Sequence, residues 1–170
     1  MTWLYKKKMY YLAYGSNLNI SRMNDRCKEA SIVGTSVLKD YRLIFKRSKS
    51  GSYLTVTKED GYNVPLGVWE ISQNDLESLD ICEGYPTFYY RKEIEVLLKD
   101  KNGNNRNIKG IIYIMHEDRK FEIPKKWYID ICKDGYKEFG FDTSILDEAV
   151  DYSTRKILDG DKNDRWIIWR

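Results

Sequence analysis

Met9-Tyr10-Tyr11-Leu12-Ala13-Tyr14-Gly15-Ser16-Asn17-Leu18 carries the change of pattern on which the fold turns. Met9 to Tyr14 reads as a short buried strand that ends at the Gly15-Ser16-Asn17 turn. Ile20, Met23 and Cys27 then recur at helical spacing, with Asn17 or Asn19 available as a cap. From Ala30 to Trp69 the pattern becomes short β runs, Ser31–Leu38, Tyr41–Lys46, Tyr53–Lys58 and Val64–Ile71. Gly61 after Asp60 marks a hairpin turn between the last two.

A helix follows. Ser72 with Asp75 three residues later forms a capping-box start, and Leu76, Leu79 and Glu83 share the i, i+3, i+7 spacing of one helix face. Glu83 thus falls on an apolar stripe, just before Gly84 as the stop. Desolvation and the negative end of the helix dipole both disfavour the charged carboxyl there, so its pKa is expected to rise and suit proton shuttling near neutral pH.

Beyond Gly84-Tyr85-Pro86 a strand is expected over Tyr89–Leu98, then an Asn- and Gly-rich loop over Asp100–Asn107, then a partner strand over Ile108–Met115. Pro124 opens a helix with Trp127, Tyr128, Ile131 and Cys132 on one side and a stop near Gly135 or Gly140. Thr143 or Ser144 caps a last helix with Ile145, Leu146, Ala149, Val150 and Tyr152 on its apolar side, broken at Asp159-Gly160-Asp161. The tail Trp166-Ile167-Ile168-Trp169 is apolar enough to pack back on the domain, with a homodimer contact as the alternative.

The chain has 170 residues, enough for one domain with a sizeable core, and neither a linker nor a repeat interrupts it. Its 29 basic and 26 acidic residues are mixed along the sequence, so no basic face marks a nucleic-acid binder. Met9 to Ala13 is too short an apolar run, after Lys6-Lys7-Lys8, for a signal-peptide core or a membrane span. Cys27, Cys82 and Cys132 form no CxxC pair, which disfavours a disulfide framework and a zinc site and points to a reducing cytoplasm. With His116 the only histidine, a multi-histidine metal centre is ruled out, and acid–base work falls to Glu, Asp or Tyr. The 14 tyrosines can line a polar pocket as well as half-buried strands.

The turn after the first strand leaves several backbone N–H groups without helical partners, and such amides can hold a carboxylate or a developing oxyanion. Tyr11-Leu12-Ala13-Tyr14-Gly15-Ser16-Asn17-Leu18, followed by Arg22-Met23 and Arg26-Cys27, resembles the opening signature of the γ-glutamylcyclotransferase-like (AIG2-like) family. Leu79-Asp80-Ile81-Cys82-Glu83-Gly84-Tyr85-Pro86, leading to Tyr89-Tyr90-Arg91, is similar to that family's LDxxEG segment, whose Glu is its catalytic acid–base. Tyr128 followed by Gly135 resembles its Tyr-to-Gly helix segment, and the order of all three agrees. The resemblance runs from about Met9 to Tyr152 and leaves the C-terminal tail outside it.

The resemblance implies an α+β fold, a small mixed β-barrel with flanking helices. It also implies a reaction without a cofactor, on a small-molecule γ-glutamyl substrate. The α-amine attacks the γ-carbonyl of its own glutamyl group, releasing an amine or amino acid and leaving 5-oxoproline. Glu83 would move the proton, the backbone amides of Gly15, Ser16, Asn17 and Leu18 would anchor the glutamyl carboxylate or the oxyanion, and Tyr14 would help shape that loop. Tyr89, Tyr90 and Tyr128 are candidate hydrogen-bonding partners, although one of Tyr89 and Tyr90 must face outward because strand neighbours alternate.

Arg22 and Arg26 could bind a carboxylate but read better as solvated or structural ion pairs. Cys82 diverges from Glu83 by about 100° around the helix and reads as buried packing rather than a nucleophile. His116 reads as a loop histidine. A different class of function on this scaffold is a module that binds a small ligand or a protein without turnover.

Overall fold

The computed structural model describes the backbone of residues 8–167 and the side-chain surroundings of residues 8–160. Strand β1 (Met9–Ala13) is followed by one 3-10 turn (Ser16–Leu18) and helix α1 (Ile20–Arg26), whose cap is the Asn19 side chain accepting the Arg22 N–H. Strands β2 (Ser31–Arg47) and β3 (Ser52–Ile71) lead to helix α2 (Gln73–Glu83), and strands β4 (Tyr89–Asp100) and β5 (Asn105–Met115) to helices α3 (Lys126–Glu138) and α4 (Ser144–Ile167). The strands close into a barrel in the order β1-β3-β2-β4-β5. Four neighbour pairs are antiparallel, and the closing β1–β5 contact at Tyr11 and Ile111 is parallel, so the barrel is mixed as expected.

The middle of the chain differs from its sequence reading. The four β runs fuse into two long strands, and Gly61 is no hairpin turn but part of β3. Lys39 pairs with Asn63 and Tyr41 with Lys58, so Asp40 alone faces the excursion Glu59 to Tyr62. Asp40 and Gly61 both take left-handed backbone there (φ 60° and 86°), and the Gly61 N–H donates to Asp40 Oδ1 at 3.0 Å. Asp-Gly chemistry favours a local reversal, and a large bulge satisfies it without reversing the strand. The hairpin lies instead at Ser48 to Gly51, where the Ser48 N–H donates to the Gly51 carbonyl at 2.8 Å.

The helix ends divide. Helix α3 passes through Gly135 and ends at Glu138, capped by Phe139 with Gly140 in left-handed backbone, which selects the second of the two expected stops, and its Trp127 is exposed while Tyr128, Cys132 and Tyr136 are buried. Helix α4 runs through Asp159-Gly160-Asp161 to Ile167 rather than breaking there, since a lone glycine costs a helix only about 1 kcal/mol. Its start is held by Asp142, whose carboxylate accepts the Ser144 N–H at 2.9 Å. The Trp166 to Trp169 contact falls outside the residues whose side chains are described, so neither its packing nor a dimer is addressed by it.

Leu12, Phe45, Leu66, Trp69, Leu98 and Ile112 are fully buried in the hydrophobic core. Helix α4 seals one side of β2 through Ser153, whose Oγ accepts the Phe45 N–H at 2.9 Å. Helix α3 packs on the 3-10 turn after β1 and so fixes the loop that begins at Gly15.

Candidate active site

Helix α2 delivers Glu83 by local rules. Ser72 Oγ accepts the Asp75 N–H and Asp75 Oδ2 accepts the Ser72 N–H, both at 3.1 Å, which closes the capping box. Gly84 ends the helix in left-handed backbone (φ 62°). Leu76 and Leu79 are buried on the inner face, and Glu83, two turns beyond Leu76, is half-buried. One turn before Glu83, Asp80 accepts a 2.6 Å hydrogen bond from Tyr113 of β5, tying the helix to the barrel.

Opposite stands the turn after β1. Asn17 is buried and donates through Nδ2 to Glu83 Oε1 at 3.2 Å and to Tyr11 Oη at 2.9 Å. Glu83 and Asn17 face one cavity of about 440 Å³, lined also by Tyr14, Gly15, Ser16, Tyr89 and Tyr128. The amides of Gly15, Ser16 and Asn17 lead into the 3-10 turn, where helical geometry offers them no partner, and so they are available to an anion. Helix α3 completes this wall: Tyr128 Oη accepts the Leu54 N–H at 3.3 Å and stands near Gly15.

Burial is the main influence on Glu83 and raises its pKa above 4.5, while Arg26, Arg22 and the Asn17 hydrogen bond pull the other way. Burial also lifts Tyr14, Tyr89 and Tyr128 well above the usual phenol value, so they remain neutral hydroxyls. The wall therefore combines one titrating acid with neutral phenols and two guanidiniums.

Several positions differ from the sequence reading. Leu18 is fully buried in the core, and its amide is spent on the Gly15 carbonyl at 3.0 Å, so it is not an anchoring donor. Tyr90 lies outside the cavity, its hydroxyl on Glu117 at 2.5 Å, and Tyr89 takes the inward place that alternation reserves for one of the two. Cys82 is exposed at the cavity rim rather than buried. His116 sits just past β5, with Nε2 2.7 Å from the Pro86 carbonyl oxygen.

Arg22 and Arg26 are corrected as well. Both line the cavity, and among the described residues neither has an ion-pair partner within 4.0 Å. Their i, i+4 spacing directly after the turn was the signal that both would face the same way. Tyr11 and Tyr113 line the cavity as well, and only the abundance of tyrosine hints at them.

Comparison with known proteins agrees with this geometry. The family model described as "Gamma-glutamyl cyclotransferase, AIG2-like" matches residues 11–130. The human protein named gamma-glutamylcyclotransferase is 28% identical over 142 residues, which cover 79% of this chain and 73% of that one. A bovine protein of the same name is 33% identical over 100 residues, covering 55% and 53%. A solved structure titled gamma-glutamyl cyclotransferase superposes with a TM-score of 0.72 at 26% identity, covering 84% of this chain and 86% of the other. The closed five-stranded barrel with its flanking helices thus has its counterpart in a solved structure, and the chain belongs to the gamma-glutamyl cyclotransferase, AIG2-like family.

Proposed function

We propose that the protein cyclises γ-glutamyl compounds, releasing 5-oxoproline and a free amine or amino acid. The observation that carries this reading is the placement of the Glu83 carboxyl on one cavity with the turn that starts at Gly15, joined to it through Asn17 at 3.2 Å.

The substrate folds so that its α-nitrogen reaches its own γ-carbonyl carbon, an arrangement that converts confinement into rate. Glu83, as carboxylate, removes a proton from the α-ammonium, and the freed lone pair forms the C–N bond of the five-membered ring. The carbonyl π pair moves to oxygen, where the amides of Gly15, Ser16 and Asn17 stabilise the anion. Collapse of this intermediate breaks the bond to the leaving nitrogen, which receives the proton from Glu83, and the restored carboxylate takes the second proton from the ring nitrogen and passes it to solvent, leaving the neutral lactam. A raised pKa serves both steps, since it makes Glu83 a stronger base and leaves its proton within reach of the departing amine. Tyr128 and Tyr89, neutral and inward, shape the wall against which the glutamyl chain bends.

The test is 5-oxoproline release from a panel of γ-glutamyl amino acids and γ-glutamylamines. Wild type is expected to turn over at least one of them, and Glu83→Gln to lose roughly 10²- to 10⁴-fold in kcat while it stays folded and binds substrate. A folded, fully active Glu83→Gln protein would overturn the acid–base role. Binding without release by both proteins would identify a non-catalytic ligand-binding module instead.

A further inference from the structure

Asn17 is surrounded on three sides. Its Oδ1 accepts from Arg26 Nη1 at 2.8 Å, and its Nδ2 supplies the bonds to Tyr11 and Glu83. A carboxamide can present either end to a neighbour, and the partner that fixes one end fixes the other. Turning Asn17 over would set its N–H₂ against a guanidinium that can only donate, and its carbonyl oxygen against a carboxylate that can only accept. Arg26 makes the shortest of the three contacts, and a guanidinium offers only donors, so it decides the orientation.

We propose that Arg26 is a positioning residue: it fixes which way the Asn17 carboxamide faces, and through that amide it holds the Glu83 carboxyl against the cavity wall. The proposal rests on Glu83 as the acid–base group and adds what holds it. The last residue of α1 thereby acts on the last residue of α2 without touching the reacting atoms.

The surroundings leave few other groups for this task. Toward Glu83, β1, β4, β5 and α3 present only the phenols Tyr11, Tyr14, Tyr89, Tyr113 and Tyr128, all kept neutral by burial. From α1 come Arg22 and Arg26, while Cys82 of α2 and Lys49 and Tyr53 of the β2–β3 hairpin border the same cavity. Tyr11 reinforces the arrangement from the other side, because its hydroxyl takes one Asn17 N–H and leaves the second for Glu83.

A direct titration separates this relay from a plain through-space charge effect. The Glu83 side-chain carboxyl is followed by carbon NMR across pH in protein labelled at glutamate, with its signal assigned by its loss in Glu83→Gln. Removing Arg26 with Arg26→Met is expected to shift the Glu83 titration upward, and the same substitution made in an Asn17→Ala protein to shift it less. Equal shifts in the two backgrounds would mean that Arg26 acts by its field alone and would overturn the relay. Should Arg26→Met not fold, Arg26→Ala takes its place in the same two backgrounds: a smaller shift without Asn17 again supports the relay, and equal shifts overturn it. None of these readings needs turnover, so a wild-type protein that releases no 5-oxoproline would count against the activity and leave the relay to be judged on its own.

Discussion

Gly135 of α3 lies against Asn19 so closely that a Cβ on it would stand 2.5 Å from the Asn19 amide nitrogen and 2.6 Å from the Leu18 carbonyl carbon. Both obstacles are backbone, so neither can swing aside. Gly135→Ala must therefore push α3 away from the turn, at a cost of about 1–3 kcal/mol. Since Tyr128 rides on the same helix, kcat/KM is expected to fall as well. Urea unfolding and kcat/KM measured together check this, and an Ala variant of wild-type stability would show that the helix does not seat on the turn.

Gly15 answers differently. A Cβ there would sit 3.4 Å from Leu54 Cδ1 and 3.5 Å from Tyr128 Oη, which is ordinary contact. Gly15→Ala is thus expected to keep its Tm while its methyl group intrudes on the substrate's place beside Tyr128, weakening substrate binding roughly tenfold, or ~1.4 kcal/mol. Thermal unfolding and KM distinguish this from a folding defect.

Glu83 links activity to pH and stability to pH in opposite directions. Its pKa is raised in the folded chain, by burial above all, so between 4.5 and that raised value the native protein holds a proton that the unfolded chain has released. The contribution of the group to stability is fully present below 4.5 and is lost as pH rises through the folded pKa. Glu83→Gln, which never ionises, should therefore gain in Tm relative to wild type as pH rises from 4.5 through the raised folded pKa. In the same interval the wild-type kcat/KM should climb, because the proposed reaction begins with the carboxylate. A Tm difference that shrinks toward neutral pH would contradict the burial argument.

Much of this site was written locally. The Ser72–Asp75 box, the Leu76, Leu79, Glu83 spacing and Gly84 are decided within a dozen residues, and the structure places each as that pattern requires. Gly61 shows where local rules stop, since Asp-Gly chemistry suits a hairpin and a bulge alike and only the pairing of Tyr41 with Lys58 decides between them. Arg22 and Arg26 could be put on one face of α1 from spacing, yet whether that face met water or a cavity depended on α2, more than forty residues later in the chain. Leu18 departs from its reading for a related reason: its amide is used within the 3-10 turn, and its side chain fills the space that Gly67 leaves.

Tyr89 and Tyr90 give the last contrast. Alternation along β4 sends them to opposite sides, and pairing with β5 sets Tyr89 opposite Met115 and Tyr90 opposite Ile114. Tyr89 is buried, donates to the Leu54 carbonyl at 2.8 Å and faces the cavity, whereas Tyr90 tilts against His116 with ring centroids 5.3 Å apart and reaches Glu117. Removing the Tyr89 hydroxyl leaves a buried carbonyl without its partner, so Tyr89→Phe is expected to cost about 1–3 kcal/mol and to lower kcat/KM. Tyr90→Phe loses only a contact beyond the cavity wall and should leave kcat/KM unchanged. Kinetics of the two phenylalanine variants side by side decide the matter: a larger loss in Tyr90→Phe would mean that the substrate approaches from the opposite face of β4.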